Sequence, residues 1–206
     1  MPKYKKALAV RAILKSKSEL KIDDHNISLL MGGNTHIVLY PINKKKELNM
    51  VCIIRSKKYD LDNIKSLVEK VVLKQNPSLK NLFDNNMKSW PLYSTSKFLP
   101  STNKKVFYIG DAFNGFLPTM AQGAGQSIES AYEIFKLLQK DKLDKDNTYF
   151  EERSKRVKII RKRSNFNLFV FHFSSVTTQK IRNIFLKFLI KRKIFIQSYL
   201  GKVYKN

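Results

Sequence analysis

Apolar and polar positions alternate along the first quarter of the chain and then change to helical spacing. Residues 7–14, 27–31, 35–40 and 47–55 are short runs of aliphatic and β-branched side chains, separated by Gly32-Gly33-Asn34 and by the polar segment 43–46. Short apolar runs joined by turn-forming residues predict strands in antiparallel pairing. Residues 61–73 place apolar side chains at 61, 64, 67, 68, 71 and 72, which predicts a helix opened by the turn-prone segment 60–63 and ended before Pro77. Spacing is irregular after Trp90, so 94–105 reads as a loop that feeds a short apolar strand at 106–109. A loop bearing Pro118 follows, and from Gln122 onward helices dominate, with a break at 141–147. The pattern predicts an α+β fold in three parts. These are an antiparallel sheet with a helix over 1–100, a strand-loop-helix over 101–140, and a helical region over 141–206.

The strand-loop-helix is the segment with chemistry to offer. Its strand stops at Gly110-Asp111, and the small residues 121–125 open a helix with apolar positions at 128, 131, 134, 135 and 138. A helix N-terminus presents unpaired N–H groups and a partial positive charge. Gly123, Ala124 and Gly125 would let a flat ring approach the backbone, and Asp111 could accept hydrogen bonds from sugar or polyol hydroxyls. The same residues also suit an ordinary strand-to-helix connection with Asp111 as a turn residue.

Charge changes the picture next. Forty Lys and Arg against sixteen Asp and Glu give a formal charge of +24, and Lys supplies most of it. An AT-rich genome produces such a bias as readily as a selected ligand does. Residues 153–206 contain 15 basic side chains and no acidic one, so this stretch meets something anionic or stays well solvated. Nucleic acid is one such partner, but no recognised nucleic-acid module is present and the basic residues are spread out, so dedicated nucleic-acid binding is not expected. Ile184, Phe185, Phe188, Leu189, Phe195, Ile196 and Tyr199 follow helical spacing, with Arg182, Lys187, Lys191, Arg192 and Lys193 largely outside that stripe. One reading packs the stripe on the protein body or on a partner chain. The other lays a basic amphipathic helix in an anionic membrane surface. Packing is the preferred one.

No stretch reaches the roughly 18 uncharged apolar residues that span a bilayer, and the first residues lack a signal-peptide pattern. Cys52 stands alone in an apolar strand, as expected of a buried thiol in a reducing cytoplasm, with peripheral contact at the inner face of the membrane as the variant location. His25, His36 and His172 lack metal-ligand spacing and read as structural. No metal site, nucleophile or catalytic carboxylate pair is indicated, and the catalytic residues are unassigned.

Gly110-Asp111-Ala112, Leu117-Pro118, Ala121-Gln122-Gly123-Ala124 and Ile128-Glu129 resemble the second flavin-binding motif of the single-component FAD-dependent aromatic hydroxylases, within them the salicylate-hydroxylase-like branch. Weaker matches keep the family's order: Arg11 after an apolar strand, the segment from His36 to Pro41, Trp90-Pro91-Leu92-Tyr93, and Arg161 to Ser164 with His172. The resemblance covers roughly residues 8–175.

The resemblance implies FAD as cofactor, NAD(P)H as reductant and a small aromatic substrate between the sheet and the flavin, with the strand from His36 to Tyr40 as one wall. It implies that Gly110 and Asp111 meet the ribityl or ribose part of FAD, that Pro118 lies beside the isoalloxazine, and that Gln122, Gly123, Ala124 and Gly125 face the pyrimidine edge. Where the family usually has Ala-His after Gly-Asp-Ala, this chain has Phe113-Asn114. The family's opening strand, Gly-x-Gly-x-x-Gly turn and helix, which hold the ADP part of FAD, have no counterpart here. The expectation is therefore the second half of a flavin monooxygenase, with its N-terminal βαβ unit missing. A split gene with a separate N-terminal half, a truncated remnant and a start site placed too late are the three explanations, and a non-catalytic basic remnant is the alternative function.

Overall fold

The computed structural model describes residues 2–14, 25–58, 63–83, 86–95, 101, 106–140 and 148–201. The expected helix break at 141–147 lies outside them. Two compact units divide the chain, one of Tyr4–Leu92 with Phe169–Phe185, the other of Tyr93–Leu168 with Leu186–Asn206 and the first three residues.

The alternating segments form one sheet. Strands β1 (Pro2–Leu14), β2 (Ser28–Met31), β3 (Thr35–Ile42), β4 (Glu47–Arg55) and β5 (Lys88–Thr95) stand in the order β2-β3-β4-β1-β5. The pairs β2–β3, β3–β4 and β1–β4 are antiparallel, as the short turns require. Cys52 lies opposite both Val10 and Ile37, which sets the register of the buried face. On that face Val10, Ala12, Leu39, Met50, Cys52 and Ile54 are buried against Val68, Val72 and Leu79 from the helical segment beyond β4. Each fully buried aliphatic side chain contributes about 1.5–3 kcal/mol. Burial pushes the Cys52 thiol up to about 12, against a smaller opposing effect of its hydrogen bond with Thr35, so it stays protonated and inert.

Two details of this unit depart from the sequence pattern. The single helix expected over 61–73 is a short α-helix, α1 (Ile64–Val68), continued by a π-helical turn (Glu69–Leu73); residues 61 and 62 lie outside the described set. Gln75 sits just beyond it and clamps the β2–β3 turn. Its Oε1 accepts from Gly33 N at 2.7 Å, and its Nε2 donates to Gly33 O at 2.9 Å. The second departure is β5, which extends through Pro91 to Thr95 where a loop was expected from residue 94. An edge strand tolerates the missing N–H of proline, so Pro91 hides the strand from a pattern reading without preventing it.

The opposite face of the sheet carries His36, Ile53, Asn49 and Arg11. His36 and His172, 136 residues apart, meet with Nδ1 to Nε2 at 2.9 Å, and His172 Nε2 also lies 3.2 Å from the Ile53 carbonyl. One Nε2–H shared between those two acceptors accounts for both contacts with each ring neutral. The structural role expected of His36 and His172 is met by joining them, a pairing that sequence separation conceals.

The other unit is helical: α2 (Gly110–Phe113), α3 (Gly123–Gln139), most of α4 (Thr148–Phe171), the end of α5 (Val176–Leu189) and α6 (Lys193–Leu200). Residues 106–109 were expected as a strand. They belong to no ladder, although Ile109 has extended backbone (φ −128°, ψ 163°). A strand exists only with a neighbour to pair with, and none of the described residues provides one.

The C-terminal stripe divides in two. Ile184, Phe185 and Phe188 are 56–72 % exposed, whereas Phe195 and Tyr199 are half-buried and Tyr199 donates to Asn167 Oδ1 of α4 at 2.6 Å. On α5 the inward side chain is Arg182, 3 % exposed, which donates to the Phe171 carbonyl at 3.0 Å and so satisfies the carbonyl-rich end of α4.

Candidate functional site

Sequence reasoning named seven residues, Gly110, Asp111, Pro118, Gln122, Gly123, Ala124 and Gly125, and all lie in the helical unit. They form two groups. Gly110 opens α2 with φ +55°, a left-handed conformation that favours glycine. Its α-carbon faces the first turns of α3 so closely that an added Cβ would lie 2.5 Å from Ser127 Oγ. This brings the 106–111 segment end against the start of α3, with the exposed Asp111 beside Gly110.

Phe113 and Asn114, the two residues that depart from the family pattern, point inward instead. Phe113 is buried with its ring at 5.9 Å from Phe150 in an edge-on contact. Asn114 is 1 % exposed, and its Oδ1 accepts from Thr95 Oγ1 at 2.8 Å. Their role is to hold the loop, which leaves Asp111 as the polar group directed outward at this point.

The second group is the loop and helix start. Pro118 begins a single 3-10 turn (Pro118–Met120), closed by Ala121 in a left-handed conformation (φ 51°, ψ 32°). A non-glycine residue there costs on the order of 1 kcal/mol and persists only where the surroundings fix it. The fixing residues come from α4 and α6. Thr119 Oγ1 donates to the Ser164 carbonyl at 2.6 Å, Asn167 Nδ2 donates to the Thr119 carbonyl at 3.0 Å, and Tyr199 donates to Asn167 Oδ1 at 2.6 Å. Of these anchors, Tyr199 falls in the helically spaced C-terminal stripe and Ser164 in a segment that the family order had marked; Thr119 and Asn167 carry no local sequence signal.

Beyond Ala121 the helix start is open. A Cβ built on Gly123 meets no atom within 4 Å, and one on Gly125 meets only Gln122 Oε1 at 3.8 Å. Gly123, Ala124 and Gly125 are exposed at the positive end of the α3 dipole, a setting that suits a flat, electron-rich or anionic ligand edge. Below this opening Gln126 is buried and accepts from Arg153 Nη2 through its carbonyl (3.2 Å) and its Oε1 (2.8 Å). Arg153 also pairs with Glu129 at 3.1 Å. This buried polar lock orients α3 and was not evident from spacing.

A cleft of about 390 Å³ beside that lock is lined by Glu129, Glu133, Arg153 and Arg156, among others, and includes none of the seven residues. Among the described residues no cluster of metal-ligating side chains exists, and no helix is long and apolar enough to cross a membrane.

Comparison with known proteins bears on the fold. Solved structures share the fold: Klebsiella pneumoniae HpxO, in a structure complexed with FAD and uric acid, has 12 % identity and a TM-score of 0.73 over 98 % of this chain and 54 % of its own. A salicylate hydroxylase substrate complex has 17 % identity and a TM-score of 0.67 over 100 % and 58 %. The tetracycline destructase Tet(51) has 13 % identity and a TM-score of 0.62 over 100 % and 57 %. The chain thus spans about half the length of these proteins. No curated protein sequence matches it significantly. A family model described as squalene epoxidase matches residues 8–193. With nearly the whole chain inside that match, and a fold corresponding to the C-terminal part of flavin monooxygenases, the chain belongs to the squalene epoxidase family of FAD-dependent monooxygenases.

Proposed function

We propose that this chain is the FAD-binding portion of an NAD(P)H-dependent monooxygenase that hydroxylates a small aromatic substrate, completed by a further polypeptide portion that holds the ADP part of FAD. The observation that carries the reading is the open start of α3, where Gly123 has free space before it and a loop anchored by Asn167 and Tyr199 behind it. Asp111 accepts hydrogen bonds from ribityl or ribose hydroxyls. The N–H groups from Gly123 to Gly125 face the pyrimidine edge of the ring, with Gln122 and Pro118 at its border, and the α3 dipole favours negative charge there. When bound, FAD supplies the redox chemistry, in which NAD(P)H is the reductant and one oxygen atom of O₂ goes to the substrate and the other to water. The chain's own contribution is position and exclusion of water. Which residue serves the substrate as acid or base is not assigned.

The test is FAD affinity of the completed protein, purified with its second portion, read by flavin fluorescence. Asp111→Ala should weaken binding about tenfold, equivalent to about 1.4 kcal/mol for a lost charge-assisted contact, with no change in thermal stability. Unchanged affinity would remove Asp111 from the site, and a complex that holds no flavin would remove the function.

A second reading has its own observation. The exposed Ile184, Phe185 and Phe188 among Lys180, Lys187, Lys191 and Arg192 favour peripheral contact with an anionic membrane, at the cytoplasmic face, either alongside catalysis or in place of it.

A further inference from the structure

Helix α6 grips the loop that leads into the start of α3, and the grip ends in one hydroxyl group. Phe195 and Tyr199 are its half-buried side chains, their rings stacked at 5.5 Å one turn apart, whereas Ile194 on the outer side is 82 % exposed. Arg163 of α4 lies over the Tyr199 ring at 5.0 Å and donates to the carbonyl of Ser198, at 3.1 Å, and to that of Tyr199. The last turn of α6 thereby gains partners for carbonyls that no following turn can bond. Held by its ring and its backbone, Tyr199 has its hydroxyl fixed against Asn167 Oδ1. Burial first raises that hydroxyl above its ordinary value, against smaller opposing effects of Arg163 and of the Asn167 bond, so it remains a donor.

The amide of Asn167 offers two orientations, with oxygen and nitrogen exchanged. A donor at Oδ1 selects the one in which Nδ2 points to the Thr119 carbonyl at 3.0 Å and to Met120 Sδ at 3.1 Å. Thr119 and Met120 belong to the turn that Ala121 closes in its left-handed conformation, and Gln122 to Gly125 follow directly. We infer that Tyr199 is a positioning residue of the flavin site, acting through the Asn167 amide to fix the Ala121 turn and with it the start of α3. The inference rests on the reading above that this helix start meets the flavin ring. Tyr199 lies outside residues 8–193, so the matched family pattern does not include it.

The test compares Tyr199→Phe, which removes the hydroxyl and keeps the stacked ring, with the parent in the full protein completed by its second portion. Loosened N–H groups at the start of α3 lose most where the ring carries negative charge. Affinity for reduced FAD should therefore fall about tenfold and for oxidised FAD about twofold. A merely structural loss lowers both alike. On an Asn167→Ala background the same Tyr199 change should alter neither affinity further, since the relay is already cut. Ser198→Ala, whose hydroxyl donates to the Phe195 carbonyl within α6, should behave as the parent. Unchanged affinities, equal losses for the two forms, or a full effect of Tyr199→Phe on the Asn167→Ala background would overturn the assignment. Hydrogen exchange of the full chain without flavin is a separate readout. The Ala121 amide, bonded to the Pro118 carbonyl at 2.8 Å, should exchange about tenfold faster in Tyr199→Phe, and no change there overturns the inference even where flavin binds. A parent complex that holds no flavin overturns the function proposed above, and the exchange result then decides the relay from Tyr199 to the turn by itself.

Discussion

Gly110 and the His36–His172 pair show how far single residues decide this structure. Replacement of Gly110 by Ala is expected to destabilise the protein by about 1–2 kcal/mol, from the left-handed backbone that a Cβ disfavours. Ser127 Oγ can rotate away from the new methyl, losing its 3.0 Å bond to the Gly123 carbonyl, so Ser127→Ala in the same chain should recover only part of the loss. Denaturant melts of the two variants measure this, and a Gly110→Ala protein as stable as the parent would contradict the backbone assignment. The histidines add a pH dependence. Burial first, then the charge of His172, holds His36 down to about 3; burial first, then Arg55 and Arg182, holds His172 down to about 4. The unfolded rings bind protons from their ordinary value near 6.5 downward, while the folded rings stay neutral until 4 or below. Stability is therefore full above about pH 6.5 and falls as pH drops toward 4, by up to about 1.4 kcal/mol per pH unit for each ring. Melting should be markedly lower at about pH 5 than at about pH 7.5, and His172→Gln should flatten that difference. A parent protein with equal melting at both values would overturn the buried neutral pair.

At the scale of elements, the anchoring of the 118–120 turn is the feature most open to a direct test. Asn167 holds the Thr119 carbonyl on one side and receives Tyr199 on the other. Asn167→Ala removes both bonds, and at about 0.5–1.5 kcal/mol each the expected loss is about 1–3 kcal/mol. Hydrogen exchange at Met120 and Ala121 should rise before global unfolding does, whereas Asn165→Ala, whose side chain donates to the Arg161 carbonyl of its own helix, should leave that loop unchanged. Sequence legibility follows the same line. The strands β1 to β4 were readable because their apolar runs are bounded by turn residues, and the start of α3 because small residues precede a periodic run. The inward face of α3 was not readable, since periodicity marks the apolar side and the inward side here is held by Gln126, Ser130 and Arg153. Residues 106–109 failed as a strand for a related reason: apolar composition reports a preference to pair and cannot supply the neighbour. The anchors Thr119, Asn167 and Tyr199 meet only through folding, so no local spacing announces their meeting.

For the whole molecule, the decisive quantity is charge set beside exposed apolar surface. The α5 part of the C-terminal stripe and the α3 face are both exposed, yet they differ in their surroundings. Glu129 and Glu133 stand beside Lys136 on α3, whereas residues 153–206 carry basic side chains without an acidic one. The first setting suits a protein surface and the second an anionic one. Each Lys or Arg near an anionic bilayer contributes about 1 kcal/mol, an effect confined to roughly a Debye length, about 10 Å at 0.1 M salt. Apolar side chains entering the headgroup region add a part that salt does not screen. The full chain should thus co-sediment with phosphatidylserine-containing vesicles and hardly with pure phosphatidylcholine, and added salt should weaken binding without abolishing it. Phe185→Glu with Phe188→Glu should remove the salt-resistant part and leave the fold intact, because both rings are more than half exposed. Binding that salt removes entirely in the parent would reduce the stripe to a charge effect; binding that persists in the double variant would move the contact away from α5.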